Sequence, residues 1–256
     1  MSRELDPRDY IQSLDRGLEV IRAFGSGRAR MSVTEVAKAT GMNRAAVRRF
    51  LLTLEYLGYV QSGDGRYWLS PKILDLGYRY LSSMPWWQLA QPTIERLANE
   101  VRETCGAAVL EGFDVVYVIR AAVARILTNN PSIGSRWPVH ATALGRVLLA
   151  AKSDDELAAY LDRAPKQKLT RFTTVSVREL VDAVREAREK DYAIVDQELE
   201  IGLRALAVPV RDRRGAVLAA INIAVPSHRH SASQIKSRFL APLQEAARNI
   251  TLGLPS

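Results

Sequence analysis

The stretch from Ser32 to Gly58, SVTEVAKATGMNRAAVRRFLLTLEYLG, does most to narrow what this chain can fold into. Ser32 followed by Glu35 is the pattern of a capping box, which satisfies two free amide donors at a helix start. The short helix it opens exposes Glu35 and Lys38 and buries Val33, Val36 and Ala37. Gly41 ends that helix, because a sharp corner needs a residue free to take positive φ. Asn43 then caps a second helix through its side-chain oxygen. In that helix Val47, Phe50, Leu51, Leu54 and Leu57 recur at helical spacing and form one apolar stripe. At about 100° per residue, Ala45, Arg48, Arg49 and Leu52 fall on the other side, with Arg44 at its flank. Two helices joined by a tight glycine turn, the second with small and basic residues facing away, form a helix-turn-helix and predict DNA binding.

The flanks complete the unit. A helix from about Ser13 should place Leu14, Leu18, Ile21 and Phe24 on one face and close at Gly25-Ser26-Gly27. The charged residues before it are expected to fray. After Gly58, Tyr59-Val60-Gln61 and Arg66-Tyr67-Trp68-Leu69 flank Ser62-Gly63-Asp64-Gly65, which predicts a hairpin. A helix-turn-helix with such a wing is a winged helix, and Arg66 is the side chain expected to touch phosphate or minor groove from it.

Charge supports a polyanionic partner. The 256-residue chain carries a formal +8, and residues 26–50 hold six basic side chains against Glu35 alone. Its 47% hydrophobic and 25% charged content is that of an ordinary globular protein, long enough for two domains. Cys105 is the only cysteine. It excludes an intramolecular disulfide and a cysteine metal cluster, and its surroundings look like the end of a helix, where it would be a buried structural thiol. The start MSRELDPRDY has no apolar h-region, and no apolar run reaches the ~18 residues of a spanning helix, so a cytoplasmic protein without membrane contact is expected.

Beyond the wing, a helix over Lys72–Leu81 leads to Ser82-Ser83-Met84-Pro85, the expected domain boundary. A helix with Ile94, Leu97, Ala98 and Val101 should follow and end at Gly106, with Trp86 and Trp87 packing at the junction between domains or subunits. Ala107–Leu110 and Val115–Ile119 read as paired strands around Gly112-Phe113-Asp114. Helices are expected over Thr142–Leu149, over Asp154–Leu161, and after Ser176, which with Glu179 makes a second capping box. Ala205–Val210 and Ala216–Val225 flank a turn at Asp212-Arg213-Arg214-Gly215, and a last helix follows Ser231. Hairpins interleaved with helices predict an α+β domain on an antiparallel sheet.

With those residues in hand, the chain resembles the IclR-type bacterial transcriptional regulators over nearly its whole length. The likeness rests on SLDRGLEVIRAF, on the Ser32–Val60 stretch and on RYWLSPKILDLG. In the second half it rests on VHATALGRVLLA and on DYAIVDQELEIGLRALAVPVRDRRGAVLAAINIAVP. NRAAVRRFLLTL is most similar to the branch controlling protocatechuate, 4-hydroxybenzoate and β-ketoadipate catabolism. Where this chain has Ala45 and Ala46 the family often has Ser-Thr, so two hydroxyls that could touch phosphate are missing. The resemblance implies a winged helix over 1–81, a dimerising linker helix region over 82–105, and a GAF/profilin-like effector-binding and oligomerisation domain over 106–256. It also implies a homodimer or dimer of dimers on double-stranded DNA with a two-fold-related operator. The effector would be a small carboxylic acid, aromatic or β-ketoadipate, with a different small acid as the alternative.

Site residues follow. Arg48 and Arg49 can each present a bidentate fork to guanine, and Arg44 is placed to hold phosphate. The resemblance puts the effector pocket between the helix start at His140–Gly145 and strands around Leu203–Ala205 and Asn222–Ala224. Ala143 and Leu144 would offer amide N–H groups to a carboxylate, Arg120, Arg136 and Arg204 would pair with its charge, Trp137 would wall it, and Asn222 would give direction. Some relatives have cysteine at the position of Ala205 and serines at those of Asn222 and Ala224, which leaves room here for a ligand larger than glyoxylate. His140 with Thr142 invites a catalytic reading, but no G-x-S-x-G elbow accompanies them. No metal spacing joins His140 to His228 or His230, and no G-x-x-x-x-G-K is present, so no catalytic residue, metal or cofactor is expected. An enzyme built on the larger domain, and an architectural DNA binder, are the rival readings.

Overall fold

The computed structural model describes residues 6–25, 27–122 and 132–254; residues 1–5 and Ser26, on which two of the expectations above fall, lie outside them. The chain divides into two units, one ending at Tyr80 and the other beginning at Leu81. In the first, α1 (Gln12–Ala23), α2 (Val33–Thr40) and α3 (Arg44–Tyr56) precede a hairpin of β1 (Val60–Gly63) and β2 (Arg66–Leu69). The helix starts follow the sequence. Ser32 N–H donates to Glu35 Oε2 at 2.7 Å and Glu35 N–H to Ser32 Oγ at 3.3 Å, while Ala46 N–H donates to Asn43 Oδ1 at 2.8 Å. Gly41 turns the corner at φ 70°. Those hydrogen bonds hold the Glu35 carboxyl below the usual carboxylate range, the Ser32 amide contributing most.

Two details of the core differ from expectation. Leu14 and Leu18 are 62% and 40% exposed; Phe24, the C-cap of α1, is buried and Ile21 half-buried as expected, and Val20 takes the place of the two leucines against Val36, Val47 and Leu51. Gly17 sits against the Phe50 ring, so the side of α1 without a bulky side chain makes the close approach. Leu57 lies beyond the last turn of α3 as its C-cap and is 46% exposed. Met31 exchanges two backbone hydrogen bonds with Tyr67 (2.9 and 2.8 Å), adding a third short segment to the hairpin.

After α4 (Ile73–Ser82) comes α5 (Pro85–Val101). The segment 82–105, expected as a separate linker region, contributes Trp86, Ala90, Ile94, Leu97 and Ala98 to the core of the second unit. The helix also stops short of Gly106: Arg102 caps it at φ 58°, and Cys105 and Gly106 lie in β3 (Thr104–Glu111). Thus Cys105 is a strand residue, not a helix end. Trp87 Nε1 donates to Val118 O at 3.0 Å, inside this same unit.

The strands that follow are β4 (Asp114–Ala121), β5 (Arg136–Pro138), β6 (Ala193–Asp196), β7 (Leu203–Arg211) and β8 (Val217–Pro226). Among the described residues they form one sheet with β3, in order β5-β4-β3-β8-β7-β6, every neighbour antiparallel. Alternation along each strand splits the core into two layers. Leu206, Val208, Ile221 and Ile223 face α5 and α9 (Ala232–Gly253). Ala207 and Ala220 face α6 (Ala143–Leu149), α7 (Asp154–Arg163) and α8 (Val177–Lys190). The result is the expected α+β architecture. Of the caps, Ser153/Glu156 and Ser231/Gln234 are reciprocal, whereas at Ser176 the hydroxyl accepts the Glu179 amide at 3.5 Å. No helix of the described residues is long and apolar enough to cross a membrane.

The start of α6 is fixed by close backbone approach. A Cβ on Gly145 would stand 1.9 Å from Val139 O, so nothing larger than glycine fits without moving the 3-10 turn at Val139–Ala141. Gly145→Ala is therefore expected to leave the second unit unfolded or insoluble. Thermal melting of the purified variant at the wild-type temperature would contradict this.

Candidate functional site

Two places gather chemistry. The first is the outer side of α3, where Arg44, Ala45, Arg48 and Arg49 are all exposed, and Leu52 is 41% exposed between them. Among the described residues no carboxylate pairs with Arg44, Arg48 or Arg49, although ion pairs occupy arginines elsewhere in the unit. The helix is anchored by its opposite face, with Val47 and Leu51 fully buried. Arg49 shares a groove with Gln12, Ser13 and Arg16 of α1, and a second groove brings Arg28, Arg30 and Lys38 together. Arg16 had no signal in the sequence, since only the packing of α1 on α3 brings it there.

Arg66, expected to reach phosphate or minor groove from the wing, already has a partner. It opens β2, and its Nη1 donates to Arg30 O (3.1 Å) and Glu35 Oε2 (3.2 Å), tying the wing base to α2. Arg30 in turn lies 4.3 Å over the Trp68 ring. Half of the Arg66 side chain stays exposed, but its charge already has a partner.

The second place is a narrow cavity where α6 begins beside β4, β7 and β8. It is tight, with about 30 Å³ of room for the centre of a water-sized sphere. Ala143, Leu144, Leu203, Ala205, Asn222 and Ala224 line it together with Tyr117, Ala141, Thr142, Val195 and Leu199. Asn222 and Ala224 share one face of β8, and Ala205 pairs with Ala224 across the strands, so alternation delivers them together. Tyr117 reaches the cavity because Gly106 leaves room: a Cβ there would meet its Cε1 at 2.8 Å. Asn222 Nδ2 donates to Tyr117 Oη at 3.3 Å. Burial pushes the Tyr117 phenol above its ordinary range, so it stays protonated as a donor.

Four of the expected pocket residues lie elsewhere. Arg136 is on the edge strand β5, paired with Glu111 (2.9 Å) and Asp114 (3.8 Å). Trp137 is half-buried and packs against the layer under α6–α8. Arg204 precedes Ala205, so its side chain leaves from the other face of β7; it pairs with Asp196 (2.7 Å) and donates to the carbonyls of Ser227 and His230. Arg120 lies behind the cavity wall, 5.7 Å from the Tyr117 ring, and burial lowers its pKa. Among the described residues the cavity wall is thus uncharged.

A buried ion pair also lies near the cavity. Arg146 of α6 donates to Glu198 Oε1 at 2.5 Å, each side chain 9% exposed, while Glu198 Oε2 accepts the Thr174 amide at 3.0 Å. Glu198 adjoins Leu199, which lines the cavity, so the pair fixes that loop to α6. His140 is buried with Nε2 3.0 Å from Gln167 O, and Thr142 Oγ1 accepts the Gly145 amide at 3.0 Å as a helix cap. Neither group is arranged as a base with a nucleophile. His230 contacts Glu103 at 3.3 Å, and the described residues contain no group of His, Cys, Asp and Glu suited to a metal.

Cys105 is buried, and burial, reinforced by Glu103, pushes its thiol up to about 12. A thiol so rarely ionised is expected to resist alkylation at pH 8 until the protein unfolds. Stoichiometric labelling of the native protein within minutes would contradict that.

Comparison with known proteins gives concordant matches to both units. A family model described as "IclR helix-turn-helix domain" matches residues 13–64, and one described as "Bacterial transcriptional regulator IclR C-terminal" matches residues 78–252. The Pca regulon regulatory protein of Pseudomonas putida is 41% identical over 246 residues, covering 96% of this chain and 84% of its own. A solved structure from Rhodococcus sp. RHA1 is 44% identical with a TM-score of 0.87, covering 96% of this chain and 98% of that one. An IclR homolog of Microbacterium hydrocarbonoxydans, solved in complex with 4-hydroxybenzoate, has a TM-score of 0.83 at 24% identity, covering 94% and 98%.

Proposed function

The chain belongs to the IclR family of bacterial transcriptional regulators, and from that premise we propose that it is a ligand-responsive DNA-binding regulator of aromatic-acid catabolic genes. The observation that carries this reading is the outer side of α3, where Arg44, Arg48 and Arg49 stand exposed on a helix held firmly by its other face. In this reading Arg48 and Arg49 read base edges and Arg44 holds phosphate, with Ala45 allowing close approach to the groove. Arg66 keeps the wing oriented through Glu35, and phosphate contact by it requires exchanging that partner. The family regulates transcription and is not catalytic, which fits the structural duties of His140 and Thr142.

The cavity is the effector site in this reading. Ala143 and Leu144 at the start of α6 take the acid group, and the apolar lining from Val195, Leu199 and Leu203 takes the body of the ligand. The P. putida relative carries the Pca regulon in its name, and 4-hydroxybenzoate occupies the M. hydrocarbonoxydans homolog; both support an aromatic-acid pathway. Two copies acting on a two-fold-related operator, as a homodimer or dimer of dimers in the cytoplasm, complete the proposal. Exposed Leu74 and Leu76 on α4, at 70% and 49%, supply apolar surface for such pairing.

Selection of binding sites from random duplexes tests the DNA half, with a pseudo-palindromic consensus as the expected result. Thermal shift with small acids tests the other half. A ligand at about 100 times its Kd should stabilise the protein by about 2.7 kcal/mol. Absence of any consensus, or of a shift with every acid tried at millimolar concentration, would overturn the corresponding half.

A further inference from the structure

The cavity at the start of α6 is too small as it stands for a ring acid. It leaves about 30 Å³ for the centre of a water-sized sphere, whereas a cavity that takes a benzene ring measures about 150 Å³. A wall must therefore move to admit one. Most of the described walls are fixed. Ala205, Asn222 and Ala224 lie on β7 and β8, each paired with a strand on both sides. The start of α6 is wedged against Val139 O at Gly145, and the Thr142 hydroxyl caps it. What is left is the turn from β6 to β7, which brings Leu199 to the cavity.

That turn is held hard at one end and lightly at the other. At its start Glu198 pairs with Arg146 and takes the Thr174 amide, and its carbonyl accepts the Thr173 hydroxyl at 2.6 Å. At its end Gly202 stands at φ 88°, its carbonyl accepting the Ser227 amide at 2.7 Å. Between these points Leu199 and Ile201 have no polar side-chain group to tie, and Glu200 makes no ion pair among the described residues. Ile201 is 56% exposed. Two contacts close the turn: Leu203 N–H donates to Glu200 O at 3.2 Å, and Gly202 N–H donates to Gln197 Oε1 at 3.1 Å. Gln197 is itself left-handed at φ 59°, which costs a non-glycine residue energy, and such outliers cluster at segments that switch. We propose that the 199–201 segment is the gate of this cavity: it turns on Gly202 while Glu198 stays anchored, and ligand enters and leaves only when Leu199 withdraws. The inference rests on the effector reading and adds to it the route of entry.

Two measurements on the full chain test it. In amide exchange, Leu203 N–H should exchange through a local opening that low denaturant does not accelerate, while Leu206 and Val208 of β7 exchange only with global unfolding. Gln197→Ala removes one hydrogen bond from the closed turn, so Leu203 should exchange about 2- to 12-fold faster. In stopped-flow mixing with 4-hydroxybenzoate and with protocatechuate, association and release should both quicken by that same factor, with little change in Kd. A residue that only shaped the bound site would move Kd instead. Leu199→Ala, which removes the plug and leaves the hinge, should also quicken both rates, and adding Gln197→Ala to it should bring no further gain. Leu203 protected as fully as Val208, or faster exchange in Gln197→Ala with unchanged binding and release rates, would overturn the gate while leaving an acid sensor intact. Binding of neither acid to the wild type, with exchange as expected, would remove the effector reading and the gate with it.

Discussion

A protein carrying Arg48→Ala and Arg49→Ala is expected to lose sequence-selective DNA binding while keeping its fold. Both side chains are exposed and take part in no ion pair among the described residues, so their removal leaves no buried group unpaired. A bidentate arginine–guanine contact contributes roughly 1–3 kcal/mol of discrimination, or about 5- to 150-fold each. The double variant should therefore bind its operator barely better than random duplex, with residual affinity from Arg44, Lys38 and other phosphate contacts that fall with salt. Competition titration against unrelated DNA measures this directly. A variant that selects the same consensus with the same preference as wild type would show that α3 is not the reading element. Arg66→Ala should act otherwise: because its charge is tied to Glu35, it loosens the wing and leaves the consensus unchanged.

The second large effect concerns the Arg146–Glu198 pair. Breaking a buried pair by removing one partner leaves an uncompensated charge, which destabilises by about 3–5 kcal/mol. Glu198→Leu should cost that much in chemical denaturation of the second unit, since Arg146 would keep its charge at 9% exposure without its carboxylate. Arg146→Met alone should also be costly, because Glu198 would keep only the Thr174 amide. The double variant Arg146→Met, Glu198→Leu should recover most of the loss, because two apolar side chains of similar volume replace both charges. Each variant should also weaken the response to acid, as the loop carrying Leu199 loses its tie to α6. Additive rather than compensating losses in the double variant would show that the pair contributes through packing alone.

How far the residues announced this structure depends on the range of the forces involved. The helix-turn-helix was legible because a reciprocal cap, a left-handed glycine and an asparagine cap are all local, each decided within about four residues. The face of α1 was legible only in part, because Val20 competes with Leu14 and Leu18 for the side that meets the core. Only contact with Phe50 chooses between them. In the sensor unit the family resemblance pointed to Ala205, Asn222 and Ala224, and strand alternation in the fold brings them to one face. Arg204 failed by the same rule, since its side chain must leave the opposite face from Ala205. Tyr117 went unnoticed because its access to the cavity depends on Gly106, a neighbour revealed only by pairing of β3 with β4 and β8. The alternating positions 115 and 117 in that strand were the one available hint. The tie of Arg66 to Glu35 is not legible in the sequence, because Glu35 lies thirty-one positions away and no pattern in the chain relates them.

In the proposed function an exposed arginine helix reads DNA, and acid in the sensor cavity alters that reading. Fluorescence anisotropy of the full chain on duplex from upstream of its own gene, with and without 4-hydroxybenzoate, protocatechuate or β-ketoadipate, tests both parts at once. The prediction is saturable binding that outcompetes unrelated duplex, with a Kd displaced at least several-fold by one of the acids. Binding indifferent to sequence and unmoved by all three would contradict it.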